Sequence, residues 1–208
     1  MRLRAAIAAY QAQHRGRADT FAVRWTAFYL DARQAGGARP PAVDKREAFV
    51  RKHGAERAPE LYERIASTGA MAGIDFRFGG RAGGSRDAHR LVCLAGGKAG
   101  PEVQWKVVDR LFQAYHEEER DVSDVAVLLD VAREVGLDER EVRDCLESEE
   151  TGKEVDDQAM KARDNGITGV PHFSINNRFE ITGAQESLAF VKLFERLVKL
   201  EERDRAKV

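Results

Sequence analysis

From residue 44 to residue 165 the chain carries little but helix signals, so any fold for it must house a helical block of that size. Asp44 with Glu47 and Asp138 with Glu141 are capping boxes, and Thr151 with Glu154 repeats the pattern. Pro59 and Pro101 stand where a missing N–H costs least, at first helical positions. Ser123 reads as another cap, and Gly136 and Gly166 read as stops. Between these marks apolar residues recur at helical spacing: Leu61, Ile65 and Ala66; Ala88, Leu91, Val92 and Ala95; Val103, Val107, Val108, Leu111, Phe112 and Tyr115. Leu128, Leu129, Ala132 and Val135, then Val142, Cys145 and Leu146, continue the series.

The flanks differ. Residues 1–14 read as an amphipathic helix already under way at residue 1, with Leu3, Ile7 and Tyr10 on one side. Phe21, Val23 and Trp25 alternate with Ala22, Arg24 and Thr26, which predicts a strand over 21–30 with one face more buried. A Gly/Pro-rich loop over 33–43 precedes the block, and 74–78 form a short extended run within it. After 167, two β-rich runs flank Asn176-Asn177, a pair that tolerates the positive φ of a tight hairpin turn. A helix from about Gln185, apolar on two sides, closes the chain. The order is helix, strand, helical block, β-hairpin, helix.

A length of 208 residues fits one domain, or one domain carrying an inserted subdomain, and 43% hydrophobic residues supply a sizeable core. With 34 basic against 35 acidic residues, a strongly basic nucleic-acid binder is not expected. No run approaches the about 18 apolar residues of a membrane span. The short run Ala5–Tyr10 behind two arginines reads as helix side rather than signal peptide, so no membrane partner and a cytoplasmic location are expected.

Little of the chemistry-bearing inventory clusters. The five histidines form no HExxH pair, and no metal site is expected. Gly79, Gly80, Gly83 and Gly84 lack the strand–helix frame of a phosphate cradle. Lys45, Arg46, Arg51 and Lys52 read as a solvated face. Cys93 and Cys145 lie 52 positions apart and read as unbridged. Cys145 sits on an apolar helix face, whereas Cys93 follows His89 by four residues, so a His-paired thiolate is one reading and a core thiol the other. Pro171 stands at the start of a strand, where the absent donor does no harm. On composition alone its bond to Val170 would be trans, since only about 5–6% of X–Pro bonds are cis.

The run TGVPHFSINNRFEITGAQ, residues 168–185, resembles the DsbA-like thioredoxin-fold family, nearest its FrnE-type oxidoreductase branch. 2-Hydroxychromene-2-carboxylate isomerases and kappa-class glutathione transferases are relatives of that branch. The match rests on Thr168, Gly169, Val170, Pro171 and Phe173, then Thr182, Gly183, Ala184 and Gln185. VRWTAFYL resembles the family's second strand, DAHRL over 87–91 its A-H-R-L helix, and GLDEREVRDCL its last inserted helix. Gly84-Ser85 departs from the Asn-Thr common in relatives.

The resemblance implies an α/β fold: a thioredoxin-like domain of residues 1–43 and 166–208, interrupted by a helical insertion of 44–165. It implies a cis Val170–Pro171 bond beside the first helix, with Val170 and Pro171 binding substrate and His89 and Gln185 as supporting neighbours. The family's C-x-x-C motif and first central strand are absent from these 208 residues, so no catalytic residue is expected in the chain as given, and both are expected upstream. The implied activity is thiol–disulfide exchange on a protein or small thiol substrate, without a cofactor. One alternative is a glutathione-using transferase or isomerase; another is a non-catalytic binding module of the same fold.

Overall fold

The computed structural model describes residues 2–31, 34, 37 and 39–205. In chain order the elements are α1 (Arg2–Gln13), β1 (Val43–Asp44), α2 (Lys45–His53), α3 (Ala58–Met71), β2 (Arg81–Ala82), α4 (Arg86–Lys98) and α5 (Pro101–His116). Then follow α6 (Val125–Glu134), α7 (Glu139–Glu147), α8 (Glu149–Asp164), β3 (His172–Ile175), β4 (Phe179–Thr182) and α9 (Ser187–Arg205). The chain divides into two compact units, residues 1–22 with 169–208, and residues 23–168.

The first unit buries the apolar sides of α1 and α9 against a two-stranded hairpin. β3 and β4 pair antiparallel from His172↔Thr182 to Ile175↔Phe179, and Asn176 and Asn177 both take φ of 51° in the turn. One face of the hairpin, Phe173, Ile175 and Ile181, packs on Ala6, Tyr10, Phe190, Val191 and Phe194. Aromatic edges interlock there: Phe173 meets Phe190 at 4.9 Å between ring centroids and Phe21 meets Phe194 at the same distance. The Tyr10 hydroxyl donates to Asp19 at 2.7 Å, and burial together with that carboxylate pushes the phenol up to about 12. The last helix opens at Ser187, two residues later than its apolar spacing suggests.

The second unit holds the helical block. α4, α5, α6 and α7 enclose a core in which Leu91, Ala95, Val107, Leu128, Val131 and Val142 are fully buried. Asp44 and Asp138 cap α2 and α7 as their capping boxes predict. Two caps differ from expectation. Asp124, not Ser123, receives the first-turn amide of α6, because the Ser123 hydroxyl is already donated to Asp121 at 2.6 Å. Ser148, not Thr151, caps α8, while the Thr151 hydroxyl donates to the Cys145 carbonyl at 2.6 Å. One residue, Ser148, thus ends α7 and starts α8.

The segment predicted as a strand over 21–30 is extended and alternates in exposure from Phe21 to Ala27, but no other strand pairs with it among the described residues. Helix side chains answer part of its backbone instead. Gln104 accepts from the Trp25 amide at 2.9 Å and donates to the Trp25 carbonyl at 3.1 Å, as a neighbouring strand would. Gln158 accepts from the Ala27 amide at 3.2 Å, and Arg163 donates to the Tyr29 carbonyl at 2.5 Å.

Charge is buried in the same unit. Arg90, 2% exposed, pairs with Asp87 at 2.8 Å and donates to the carbonyls of Cys145 and Ser148 at the end of α7, which the Thr151 hydroxyl also reaches. Arg86 grips Asp156 with two bonds of 3.0 and 2.9 Å, and Asp156 also accepts from the Tyr29 hydroxyl at 2.8 Å. Together these contacts tie α4 to α7, α8 and the extended segment.

Candidate functional site

The geometry around residues 168–185 grows out of the hairpin. The Pro171 carbonyl accepts from the Gly183 amide at 2.8 Å, which carries the ladder one step beyond the His172↔Thr182 pair. Proline suits that position because the ladder asks it only for an acceptor. The Val170–Pro171 peptide bond is cis. Pro171 is exposed, Val170 is 52% exposed, and among the described residues neither the amide nor the carbonyl of Val170 makes a hydrogen bond. An unpaired, accessible donor and acceptor side by side are what an extended peptide backbone needs from a partner.

The corner that follows is pinned. Gly183 takes φ of 82°, a left-handed turn that suits a residue without Cβ. The Gln185 side chain donates to the Thr182 carbonyl at 3.3 Å, so it supports the corner between β4 and α9. Just beyond it, Ser187 donates to the Arg2 carbonyl at 2.9 Å and Glu186 pairs with Arg2 at 2.9 Å. The start of α9 is thereby held to the first turn of α1. Met1, at the expected helix start beside Pro171, lies outside the described residues. His172 places Nδ1 3.3 Å from the Thr182 hydroxyl and Nε2 4.0 Å from Glu180.

Of the four residues singled out from the sequence, Val170, Pro171 and Gln185 lie in the first unit and His89 in the second. His89 closes on its own helix start: Nδ1 is 2.6 Å from the Ser85 carbonyl, which makes that nitrogen the donor. Its ring stands edge-on to Tyr29 at 5.4 Å, and burial holds its pKa below the usual histidine value. His89 therefore works as a neutral tie within α4 and toward Tyr29.

Neither thiol is arranged for attack. Cys93 and Cys145 are both free. Cys93 makes no hydrogen bond to His89 among the described residues; Gln158 donates to its sulfur at 3.5 Å. Burial, then the neighbouring Glu154, pushes the Cys93 thiol up to about 11. Burial also raises Cys145, whose sulfur points to the Arg90 carbonyl at 3.8 Å. A low-pKa thiolate is what disulfide exchange needs, and both environments oppose it. Among the described residues no group of three or more His, Cys, Asp or Glu side chains could hold a metal ion. No helix among them is long and apolar enough to cross a membrane.

Sequence reasoning overlooked the polar contacts that hold the extended segment and α4. Their one signal was the placing of Gln104 between Val103 and Trp105 and of Arg90 beside Leu91, polar residues inside apolar runs.

A hairpin opened by a cis-proline, two helices packed on its apolar face and a separate helical block define the class: an α/β protein of thioredoxin-like fold. The chain belongs to the DsbA-like family, since the description "DSBA-like thioredoxin domain" matches residues 1–195. A solved structure, the probable DsbA oxidoreductase SCO1869 from Streptomyces coelicolor, is 26% identical with a TM-score of 0.77, over 94% of this chain and 81% of that one. A 2-hydroxychromene-2-carboxylate isomerase is 14% identical with a TM-score of 0.59, over 100% of this chain and 93% of that one, which is a likeness of fold. The uncharacterized protein YwbO of Bacillus subtilis (strain 168) is 36% identical over 85 residues. That match covers 40% of this chain and 42% of YwbO, so the chain spans less than half of that relative's length.

Proposed function

We propose that this chain serves thiol–disulfide exchange as the FrnE-type branch of its family does, and that it contributes the surface on which a protein or small disulfide substrate docks. The observation that carries this is the exposed Val170, with amide and carbonyl both free of partners among the described residues, in a loop fixed from behind by the Pro171–Gly183 hydrogen bond. An extended substrate backbone pairs with Val170 there, and Pro171 shapes the loop. On this reading the thioredoxin-like part comprises 1–43 and 166–208, with 44–165 as its insertion, and the protein works in the cytoplasm.

The attacking dithiol is not among these residues. The 208-residue sequence holds no C-x-x-C, and the raised thiols of Cys93 and Cys145 do not replace one. Exchange needs a thiolate and a partner thiol close enough to resolve the mixed disulfide.

Two measurements test the reading. Backbone NMR of the chain, titrated with a short disulfide-containing peptide, should shift the amides of Val170, Gly183 and their neighbours; shifts elsewhere, with these unmoved, would refute docking. In an insulin-reduction assay the chain alone should be inactive, and any longer form encoded with it that carries a C-x-x-C should be active. Turnover by this chain that disappears in Cys93→Ser would overturn the assignment of roles.

A further inference from the structure

We propose that the cleft between α2 and the β1–β2 ladder binds a small organic acid: one carboxylate attached to an apolar body. The inference rests on the second unit alone and does not depend on the exchange reading.

The cleft has a volume of about 360 Å³. That falls in the range of about 300–1,000 Å³ where small-molecule sites lie. Among the described residues its walls are Pro40, Pro41, Val43 and Ala48, with Ala82 and Gly83 beside β2, and with Gln34, whose side-chain oxygen already accepts from the Ser85 amide at 2.7 Å. Two prolines in succession make a stiff wall, because each ring fixes its own φ. Part of the backbone around the cleft is occupied already. Val43 pairs with Ala82 in the ladder, the Lys45 amide donates to the Gly80 carbonyl at 3.0 Å, and the Gly83 amide donates to Asp121 at 3.3 Å. The lining thus suits an apolar body better than a sugar or a peptide, each of which would bring polar groups that need partners.

Charge selects the other end of the ligand. Ala48, Arg51 and Lys52 occupy positions i, i+3 and i+4 of α2, one face of the helix, and all three line the cleft. Neither Arg51 nor Lys52 forms an ion pair or side-chain hydrogen bond among the described residues. In the same unit Arg86, Arg90, Arg110, Arg120 and Arg133 all pair with carboxylates. The carboxylate on the lining, Asp31, is not free. Two available cations at the mouth of an apolar slot are complementary to a carboxylate whose body fills the slot. The planar guanidinium of Arg51 matches the two oxygens of a carboxylate, and Lys52 adds a point charge.

The probe is 4-phenylbutyrate, titrated into the chain while the backbone amides of Val43, Ala48 and Ala82 are followed by NMR. Saturable shifts at these residues are expected, with a Kd of about 0.1–1 mM for a ligand of this size. The neutral 4-phenylbutanol should bind about tenfold or more weakly, since it gives up the charged hydrogen bonds. Arg51→Gln with Lys52→Gln should weaken the acid by a similar factor and leave the alcohol unchanged. Ala48→Phe should fill the slot and abolish binding of the acid while both cations remain; circular dichroism confirms that each variant is folded. Equal binding of acid and alcohol, shifts that do not saturate, or inorganic phosphate binding as tightly as the acid would each overturn the proposal.

Discussion

The hairpin β3–β4 and the segment 23–29 both run without helix or turn along their strands, yet they satisfy their backbones by different means. In the hairpin each strand answers the other across four paired positions, and the ladder continues through the Pro171 carbonyl. In the segment the answers come from helix side chains: Gln104 on α5, Gln158 and Arg163 on α8. A ladder is made of main chain and survives most side-chain changes. A backbone held by three side chains depends on those three residues. The same contrast runs through the two units. The first is closed by an aromatic and aliphatic core, and the second adds a buried arginine, Arg90, that donates to carbonyls at the end of α7.

The largest effect expected from this contrast is at Arg90. Arg90→Ala leaves Asp87 only its exposed partner Arg39 and takes a buried donor from the carbonyls of Cys145 and Ser148, and removing one partner of a buried ion pair costs about 3–5 kcal/mol. Urea unfolding should show a loss of that size, with amide exchange rising first in α7 and α8. Ser187→Ala breaks the side-chain hydrogen bond between α9 and the Arg2 backbone. That bond is exposed, so the same assay should register about 1 kcal/mol or less. Comparable losses for the two variants would erase the distinction between the units.

Next in size is Gln104→Leu, which keeps the volume and removes both bonds to Trp25. Each backbone group left buried and unpaired costs about 1–3 kcal/mol. Hydrogen exchange at Trp25 should quicken more than at Phe173, which sits in the ladder. If both amides stay equally protected, the side chains are incidental to the fold of the segment.

What the sequence made legible follows the range of each interaction. The caps at Asp44 and Asp138 and the Asn176-Asn177 turn are local, fixed within three or four residues, and they stand where the spacing placed them. The cap of α6 was misplaced because Ser123 and Asp124 adjoin and both can cap; the choice rests on Asp121 taking the serine hydroxyl. At α8 the choice between Ser148 and Thr151 rests on where α7 ends, which one helix alone does not reveal. The missing partner of the segment 21–30 is a non-local matter, and alternation gives an extended chain without saying what lies alongside. The site shows the same division. Val170 and Pro171 were visible through the T-G-V-P resemblance, not through any periodicity. The four-residue spacing of His89 and Cys93 allowed a pair beside the core-thiol reading, but spacing fixes no rotamer, and His89 turns to Ser85 instead.

The smallest effect expected is a pH dependence, carried in the second unit by the buried His89 and His116. Burial lowers the pKa of His89 in the folded state; burial, then the charge of Lys45, lowers that of His116. In the unfolded chain each titrates near the ordinary value of about 6.5. Between that value and the lower folded one, the unfolded state binds protons that the folded state refuses. Stability from these groups is therefore complete above about pH 6.5 and declines as the pH falls toward their folded pKa values. The carboxylates held low by arginines, such as Glu134 beside Arg110, act in a more acid window, losing their contribution only as the pH falls below the usual carboxylate range. Melting temperatures at pH 7.5, 6.5, 5.5 and 5.0 should fall across the series, and His89→Gln and His116→Gln should each flatten part of that fall. A melting temperature constant over this range, or an equal slope in both variants and the parent, would show that the buried imidazoles accept protons in place and that the second unit is no more acid-sensitive than the first.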